Sequence, residues 1–104
     1  MSEKHRVASL DDIPADSGLE VIVGDRIIAL FKVDGLVHAI DGICAHAGGP
    51  VAQGVLEGSI VTCPWHGWQY DVATGTHCLT PAICQQSFEV TVEGDDVFVE
   101  VPAE

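Results

Sequence analysis

The chain has 104 residues, 47% of them hydrophobic and 19% charged. That length and composition fit one globular domain over residues 1–104 and exclude a disordered chain. Four Lys and Arg against sixteen Asp and Glu give a net charge of −12. A surface this acidic repels nucleic acid and anionic lipid, so we expect neither as a partner. We expect instead a protein with a basic surface, bound and released quickly.

No targeting or membrane segment is visible in the sequence. The opening stretch MSEKHRVASL has charges but no apolar segment behind them. The longest apolar run, at residues 27–31, is far too short to cross a membrane. We therefore expect a cytoplasmic protein, in which cysteines are ligands or core residues rather than disulfides.

Short apolar runs separated by turn signals, about eight to twelve residues apart, predict an all-β domain. The segment SLDDIPADSG is an exception and predicts a brief helix with Ser9 as its N-cap. The next segment, VIVGDRIIALF, predicts a hairpin around Gly24 and Asp25. FKVDGLVHAI predicts a second hairpin, around Asp34 and Gly35.

The clearest hairpin is SFEVTVEGDDVFVEV, near the end of the chain. Phe88, Val90 and Val92 alternate with polar residues, and apolar residues alternate again after a turn predicted over Gly94 to Asp96. A period of two places one face of a strand in a core and the other in water. We therefore expect the side chains of all three apolar residues to be buried.

Two segments replace this alternation with Gly, Pro, Cys and His, and each follows a predicted strand (LVHAI or SIVT). Functional sites on a rigid β scaffold usually lie on such loops. The first segment contains Cys44-x-His46 and the second contains Cys63-x-x-His66, with sixteen residues between the two pairs. We expect the two loops to close over one bound group.

Two thiolates and two imidazoles form a ligand set that zinc also accepts. A structural zinc site commonly pairs Cys with Cys and His with His, whereas each loop here supplies one of each. The mixed order suits a binuclear iron cluster. Cys44 and Cys63 would bind one iron, and His46 and His66 the other. A zinc-binding interaction module remains an alternative.

The two pairs resemble the Rieske [2Fe–2S] motif, in which two His replace two Cys on one iron. CPWHGWQYD is especially similar to Rieske ferredoxins and to the Rieske domains of aromatic-ring-hydroxylating oxygenases. The resemblance covers most of the chain and implies stacked antiparallel sheets with two cluster-binding loops. It implies one [2Fe–2S] cluster bound by Cys44, His46, Cys63 and His66. It also implies a third loop, CLTPA, in which Pro81 covers the cluster.

The chain departs from the Rieske proteins of respiratory complexes. Gly49 and Trp65 stand where those proteins have two further cysteines, so the disulfide between their loops is absent. Trp68 replaces a serine that donates to a bridging sulfide, while Tyr70 matches a tyrosine that donates to a cysteine sulfur. Fewer donors stabilise the reduced cluster less, so we expect a potential in the lower part of roughly −150 to +300 mV.

The resemblance implies a carrier of single electrons and not an enzyme. An oxygenase also needs a 2-His-1-carboxylate iron site, and the remaining His5, His38 and His77 are scattered in a chain too short for a catalytic domain. The chain has no flavin or nicotinamide fingerprint. The resemblance therefore implies a ferredoxin that carries electrons from a flavin-containing reductase to a terminal oxygenase, through small transient interfaces. We expect a monomer, because no predicted outer strand face has an obvious apolar excess.

Several assignments stay open at this point. A Rieske-fold small subunit of a larger enzyme, such as assimilatory nitrite reductase, is an alternative, although some such subunits lack the cluster ligands. Cys78 and Cys84 are expected to be reduced residues that bind no iron, with a disulfide between them as the other reading. Trp65 is either a docking residue or packing between the loops. His38 is expected to pack within its strand.

Overall fold

The computed structural model describes residues 2–14, 17–24, 26–42, 50–64, 67, 69–73 and 87–102. Within these residues the chain forms nine strands and two short 3₁₀ helices. The strands are β1 Ser2–Ser9, β2 Leu19–Val23, β3 Arg26–Val33, β4 Leu36–Asp41, β5 Val55–Glu57, β6 Ile60–Thr62, β7 Gln69–Asp71, β8 Ser87–Glu93 and β9 Asp96–Pro102. The helices are Leu10–Asp12 and Val51–Gln53. The predicted all-β class is confirmed.

The strands form two sheets. The larger sheet has six strands in the order β1-β9-β8-β4-β3-β2, and the smaller has three in the order β5-β6-β7. Every pair of neighbouring strands runs antiparallel. The two sheets share one apolar core, so the stacked antiparallel sheets expected from the sequence are present.

The two predicted two-residue hairpins are both found. Val23 pairs with Arg26 across the first turn. Val33 pairs with Leu36 across the second turn. Asp34 there adopts a φ of 51° and Gly35 a φ of 81°. Positive φ at both central residues gives the turn a twist that matches the flanking strands.

The last hairpin differs from the prediction in two details. Glu93 pairs with Asp96, so the turn contains only Gly94 and Asp95, one residue fewer than expected. Val92 was expected in the core but is 40% exposed. It pairs with Val97, which is fully buried, so only the β9 member of this pair is covered by the core.

The sequence pattern did not predict β1, because most of its side chains are polar. The strand pairs with β9 along nearly its whole length. Its cations are fixed by carboxylates of the last hairpin: Lys4 donates to Glu93 over 2.6 Å and Arg6 to Asp96 over 2.9 Å. β1 is stabilised by pairing with β9 and by these surface contacts. Neither interaction requires apolar residues at alternate positions, so the sequence shows no strand pattern here.

Both helices are single turns. The first follows Ser9, whose backbone N–H donates to the Asp12 carboxylate over 3.1 Å, so the predicted brief helix is confirmed. No helix in the described part of the chain is long and apolar enough to cross a membrane.

Strand β3 separates two cores. Its residues Ile28, Ala29, Leu30 and Phe31 are all fully buried. Ile28 and Leu30 pack in a core with the inner face of β9, while Ala29 and Phe31 pack in the core shared with the small sheet. β3 therefore has an uninterrupted apolar run, because both of its faces are covered.

Candidate metal centre

The first ligand loop, residues 43–49, leaves the end of β4 and returns at Pro50. Its two ends are held together by a hydrogen bond of 3.0 Å from the Val51 N–H to the Gly42 carbonyl. Gly42 in turn donates to the Ile27 carbonyl over 2.8 Å. A Cβ on Gly42 would stand 2.8 Å from the Ile27 Cγ2, so only glycine fits this close to β3. The base of the loop is thereby fixed to the large sheet.

The second ligand loop, residues 63–68, connects β6 to β7 in the small sheet. Thr62 and Gln69 face each other as the last ladder pair before it. The Gln69 side-chain amide donates to the Thr62 hydroxyl over 3.2 Å. Within the loop, Gly67 adopts a φ of 72°, which favours glycine and lets the chain turn back. The second loop is therefore the tip of a hairpin with a fixed base.

The two loop bases meet at Gly54. This residue follows the turn Val51–Gln53, which leaves the first loop, and it lies against the backbone of Thr62 at the start of the second. Val55 then pairs with Thr62 in the small sheet. Because of these contacts, the chain that leaves the first loop packs and pairs against Thr62, the residue before Cys63.

Cys63 is the predicted ligand that the described residues include. Its side chain is 1% exposed, and it is not part of a disulfide. It belongs to the core cluster that contains Val51, at the base of the first loop, and Tyr70. A thiolate ligand needs a site that excludes water and lets the backbone approach the bound cluster. A buried sulfur between a core and a glycine-rich loop meets both needs. The described donor therefore fits an iron–sulfur cluster.

Tyr70 lies on β7 opposite Val61 and is fully buried in the same cluster as Cys63. A buried phenol needs a hydrogen-bond partner. Tyr70 lies two residues after the second ligand loop and shares a core cluster with Cys63, so donation to a cysteine sulfur is consistent with its position. That donation remains a prediction.

Several sequence predictions fall outside the described residues. Among the predicted ligands these are Cys44, His46 and His66. The others are Gly49, Trp65, Trp68, His77, Cys78, Pro81 and Cys84. Within the described ranges no three His, Cys, Asp or Glu side chains are grouped as a metal site. Of the remaining histidines, His38 is half-buried in β4 opposite Phe31, which agrees with packing in its strand.

Sequence reasoning missed the residues that place the loops. Gly42 and Gly54 carry no ligand, yet both stand where a Cβ would meet another backbone or side chain within about 3 Å. Glycines next to a predicted ligand loop were the available signal, but a sequence does not tell which of them touches a neighbouring strand.

Comparison with known proteins decides the family. A family described as the Rieske [2Fe-2S] domain matches residues 3–99. The chain belongs to the Rieske family. It is 40% identical over 74 residues to the ferredoxin component of the naphthalene 1,2-dioxygenase/salicylate 5-hydroxylase systems of Ralstonia sp, a match that covers 71% of each chain.

Solved Rieske structures share this fold. The ferredoxin of Sphingomonas yanoikuyae B1 has a TM-score of 0.87 at 28% identity, covering 96% of this chain and 100% of that one. A chain of a complex of reduced oxygenase and oxidized ferredoxin in carbazole 1,9a-dioxygenase gives 0.82 at 28% identity, covering 92% and 91%. A nitrite reductase small subunit of Mycobacterium tuberculosis gives 0.89 at 19% identity, covering 100% and 99%, a likeness of fold alone.

The Rieske family and its ferredoxin relatives set the cofactor and the general role. The chain holds one [2Fe–2S] cluster and is an electron-transfer component rather than an enzyme in its own right. The zinc alternative is thereby set aside. The predicted Rieske ferredoxin is confirmed at the level of the family, the fold and the cofactor.

Proposed function

We propose that this Rieske ferredoxin accepts one electron from a flavin-containing reductase and delivers it to a terminal oxygenase of a multicomponent system. The observation that carries the proposal is the junction at Gly54 and Thr62. It joins the bases of both ligand loops in a chain that matches a dioxygenase ferredoxin component over most of its length. We further propose a single cytoplasmic domain over residues 1–104 that works as a monomer.

The four proposed ligands divide into two kinds. Cys44 and Cys63 would supply thiolates to one iron, and His46 and His66 would supply imidazoles to the other. When bound, the cluster would supply one-electron chemistry. The burial of Cys63 keeps the thiolate side dry. Imidazoles at the loop tips would then give the electron a short route to a partner.

The charge of the chain suits a carrier that meets its partners briefly. A net charge of −12 speeds encounter with a basic protein surface. Charges at the rim of an interface change association rates more than they lengthen the life of a complex. An electron carrier must dissociate before it can be reduced again, so fast encounter with weak binding is the useful combination.

The test is reconstitution. The purified chain, NADH and the flavin reductase and terminal oxygenase of a naphthalene dioxygenase system are mixed, and product is measured with and without the chain. We expect turnover only when the chain is present. Reduction of the chain without delivery to this oxygenase, or to the carbazole enzyme tried next, would contradict the proposed role while leaving the cluster assignment intact.

The nitrite reductase alternative predicts a different hydrodynamic behaviour. The observation that favours it is the likeness of fold to a nitrite reductase small subunit, at 19% identity. A subunit of a larger enzyme would co-elute with that enzyme during gel filtration of a native extract. A free carrier would elute alone, and this is the result we expect.

A further inference from the structure

The small sheet has one face in the core and one face open to solvent. Leu56, Val61 and Tyr70 point into the core and are 6% exposed or less. The side chains that alternate with them point outward, and we call them the outer face. The outer face consists of Val55, Glu57, Ile60, Thr62, Gln69 and Asp71.

The part of the outer face nearest the second ligand loop has a defined shape. Val55, Thr62 and Gln69 form one row across the three strands, directly beneath that loop. Val55 is the apolar side chain of this row and is 58% exposed, so it is accessible to a partner. The Gln69 to Thr62 hydrogen bond fixes the polar part of the row. Beside it lies an open groove of about 310 Å³ lined by Glu57, Ile60, Thr62 and Gln69.

The charge around the outer face has one sign. Residues 33–104 contain no Lys or Arg, so no cation of the chain lies on any strand of the small sheet. Lys4 and Arg6 are held by Glu93 and Asp96 on the β1 side of the large sheet. Glu57 therefore presents an exposed carboxylate that no cation of the same sheet neutralises. Asp71 is half-exposed and accepts the Ala73 N–H at Oδ1 over 2.9 Å, yet its negative charge also meets no cation of this sheet.

We propose that the outer face is the docking surface for a redox partner that presents an apolar side chain surrounded by Lys and Arg. The apolar side chain would contact Val55, and the cations would contact Glu57 and Asp71. The inference rests on the proposed function, because it assigns a surface to electron transfer. Thr62 and Gln69 flank the second ligand loop, so a partner docked here lies beside the segment that contains the proposed imidazole ligand His66.

The test uses cytochrome c as the probe, because its exposed haem edge is apolar and surrounded by lysines. Reduced chain is mixed with oxidised cytochrome c at low ionic strength, and the second-order rate is measured by stopped flow. We expect Glu57→Lys to slow the reaction about tenfold, since it places a repulsive charge at the interface. Glu20→Lys is the matched control: it changes the net charge equally on β2 and should slow the reaction less than about twofold.

A second pair of variants tests the apolar contact. Val55→Ser should slow the reaction about threefold or more, because it removes the apolar contact at the centre of the interface. Leu36→Ser changes a side chain of similar exposure, 64%, at the start of β4 in the large sheet and should leave the rate unchanged. Thermal melting and the EPR signal of each variant verify that fold and cluster are intact. If the test and control variants change the reaction rate equally, the proposed docking surface is wrong.

Binding separates this inference from the proposed function. The affinity of cytochrome c for the oxidised chain is measured by titration calorimetry, which needs no electron transfer. If the wild-type chain binds and Glu57→Lys weakens binding, the surface stands even if no oxygenase accepts electrons. If reconstitution succeeds but the Glu57 and Glu20 variants bind equally, the surface is wrong and the carrier role stands. A wild-type chain that does not bind at low ionic strength also overturns the surface.

Discussion

Gly54 lies so close to Thr62 that the two backbones are in direct contact. A Cβ built on Gly54 would overlap the Thr62 carbonyl oxygen and stand 2.9 Å from the carbonyl carbon. The φ of Gly54 is −72°, which any residue adopts, so the requirement for glycine is steric rather than conformational. The spacing between the two ligand loops is set at this contact.

Substitution of Gly54 by alanine should therefore separate the loop bases. We expect Gly54→Ala to cost about 3 kcal/mol in the free energy of unfolding, because the clash is with backbone that cannot rotate away. We also expect it to lower the iron content of the folded protein. Chemical denaturation and iron analysis of the folded fraction measure both effects.

Gly58→Ala is the control for this substitution. Gly58 has a φ of 61° and open space around its Cβ position, so alanine is strained there but does not clash. We expect a cost of about 1 kcal/mol and a normal iron content. Equal iron loss in both variants would mean that general instability, not loop spacing, governs cluster retention.

The ligand set is tested by exchanging cysteines for serines. Cys44→Ser and Cys63→Ser should each abolish the rhombic EPR signal of the dithionite-reduced protein and the two irons per chain. Cys78→Ser and Cys84→Ser should leave both unchanged, since we expect these residues to bind no iron. Loss of the signal in either of the last two variants would place that cysteine in the ligand set.

The reduction potential of the wild-type chain should lie in the lower part of roughly −150 to +300 mV. The reason is the loss of a donor to sulfide: by resemblance to the Rieske proteins of respiratory complexes, Trp68 stands where those proteins have a serine donor. The net negative charge also opposes the uptake of an electron, although solvent screens it. Protein-film voltammetry measures the potential, and a value near the top of the range would contradict this reasoning.

Removal of the Tyr70 hydroxyl should lower the potential further. A donor to a thiolate stabilises the more negative, reduced state, and a hydrogen bond of about 1 kcal/mol corresponds to roughly 40 mV for one electron. Tyr70→Phe preserves the ring in its fully buried position. An unchanged potential, with the cluster intact by EPR, would show that the hydroxyl does not donate to the cluster ligands.

The potential should also depend on pH. Ferric iron acidifies the ring N–H of His46 and His66 more than ferrous iron does. At alkaline pH the oxidised protein has therefore lost a proton that the reduced protein retains, and electron uptake brings proton uptake. The potential should be constant near neutral pH and then fall with rising pH by up to about 59 mV per unit for one proton. A constant potential into strongly alkaline solution would exclude imidazole ligation.

The sequence was sufficient for most of the scaffold because the scaffold depends on local patterns. Two-residue turns such as Asp34-Gly35 need positive φ, and half-buried strands need alternation, so both leave a direct trace. The brief helix after Ser9 was found by its cap. β1 left no such trace, since its polar side chains are stabilised by pairing with β9 and by contacts of Lys4 and Arg6 with residues some 90 positions away.

The sequence names candidate donors, whose ligation stays a prediction, but it does not show what positions them. Cys63 was found because cysteine and histidine at a fixed spacing have a specific chemistry. The contact of Gly54 with Thr62 depends on how two strands approach in space, which no local pattern encodes. The outer face could not be predicted for the same reason: Val55 is apolar, and only the fold shows that it is exposed to solvent.

The position of β3 between two cores has a consequence for how the protein unfolds. Ile28 and Leu30 close one core while Ala29 and Phe31 close the other, so neither core can open without exposing this strand. The two sheets should therefore melt in a single cooperative transition. The amide hydrogens of residues 28–31 should exchange with solvent only through global unfolding, and their exchange rates report the stability of the whole molecule.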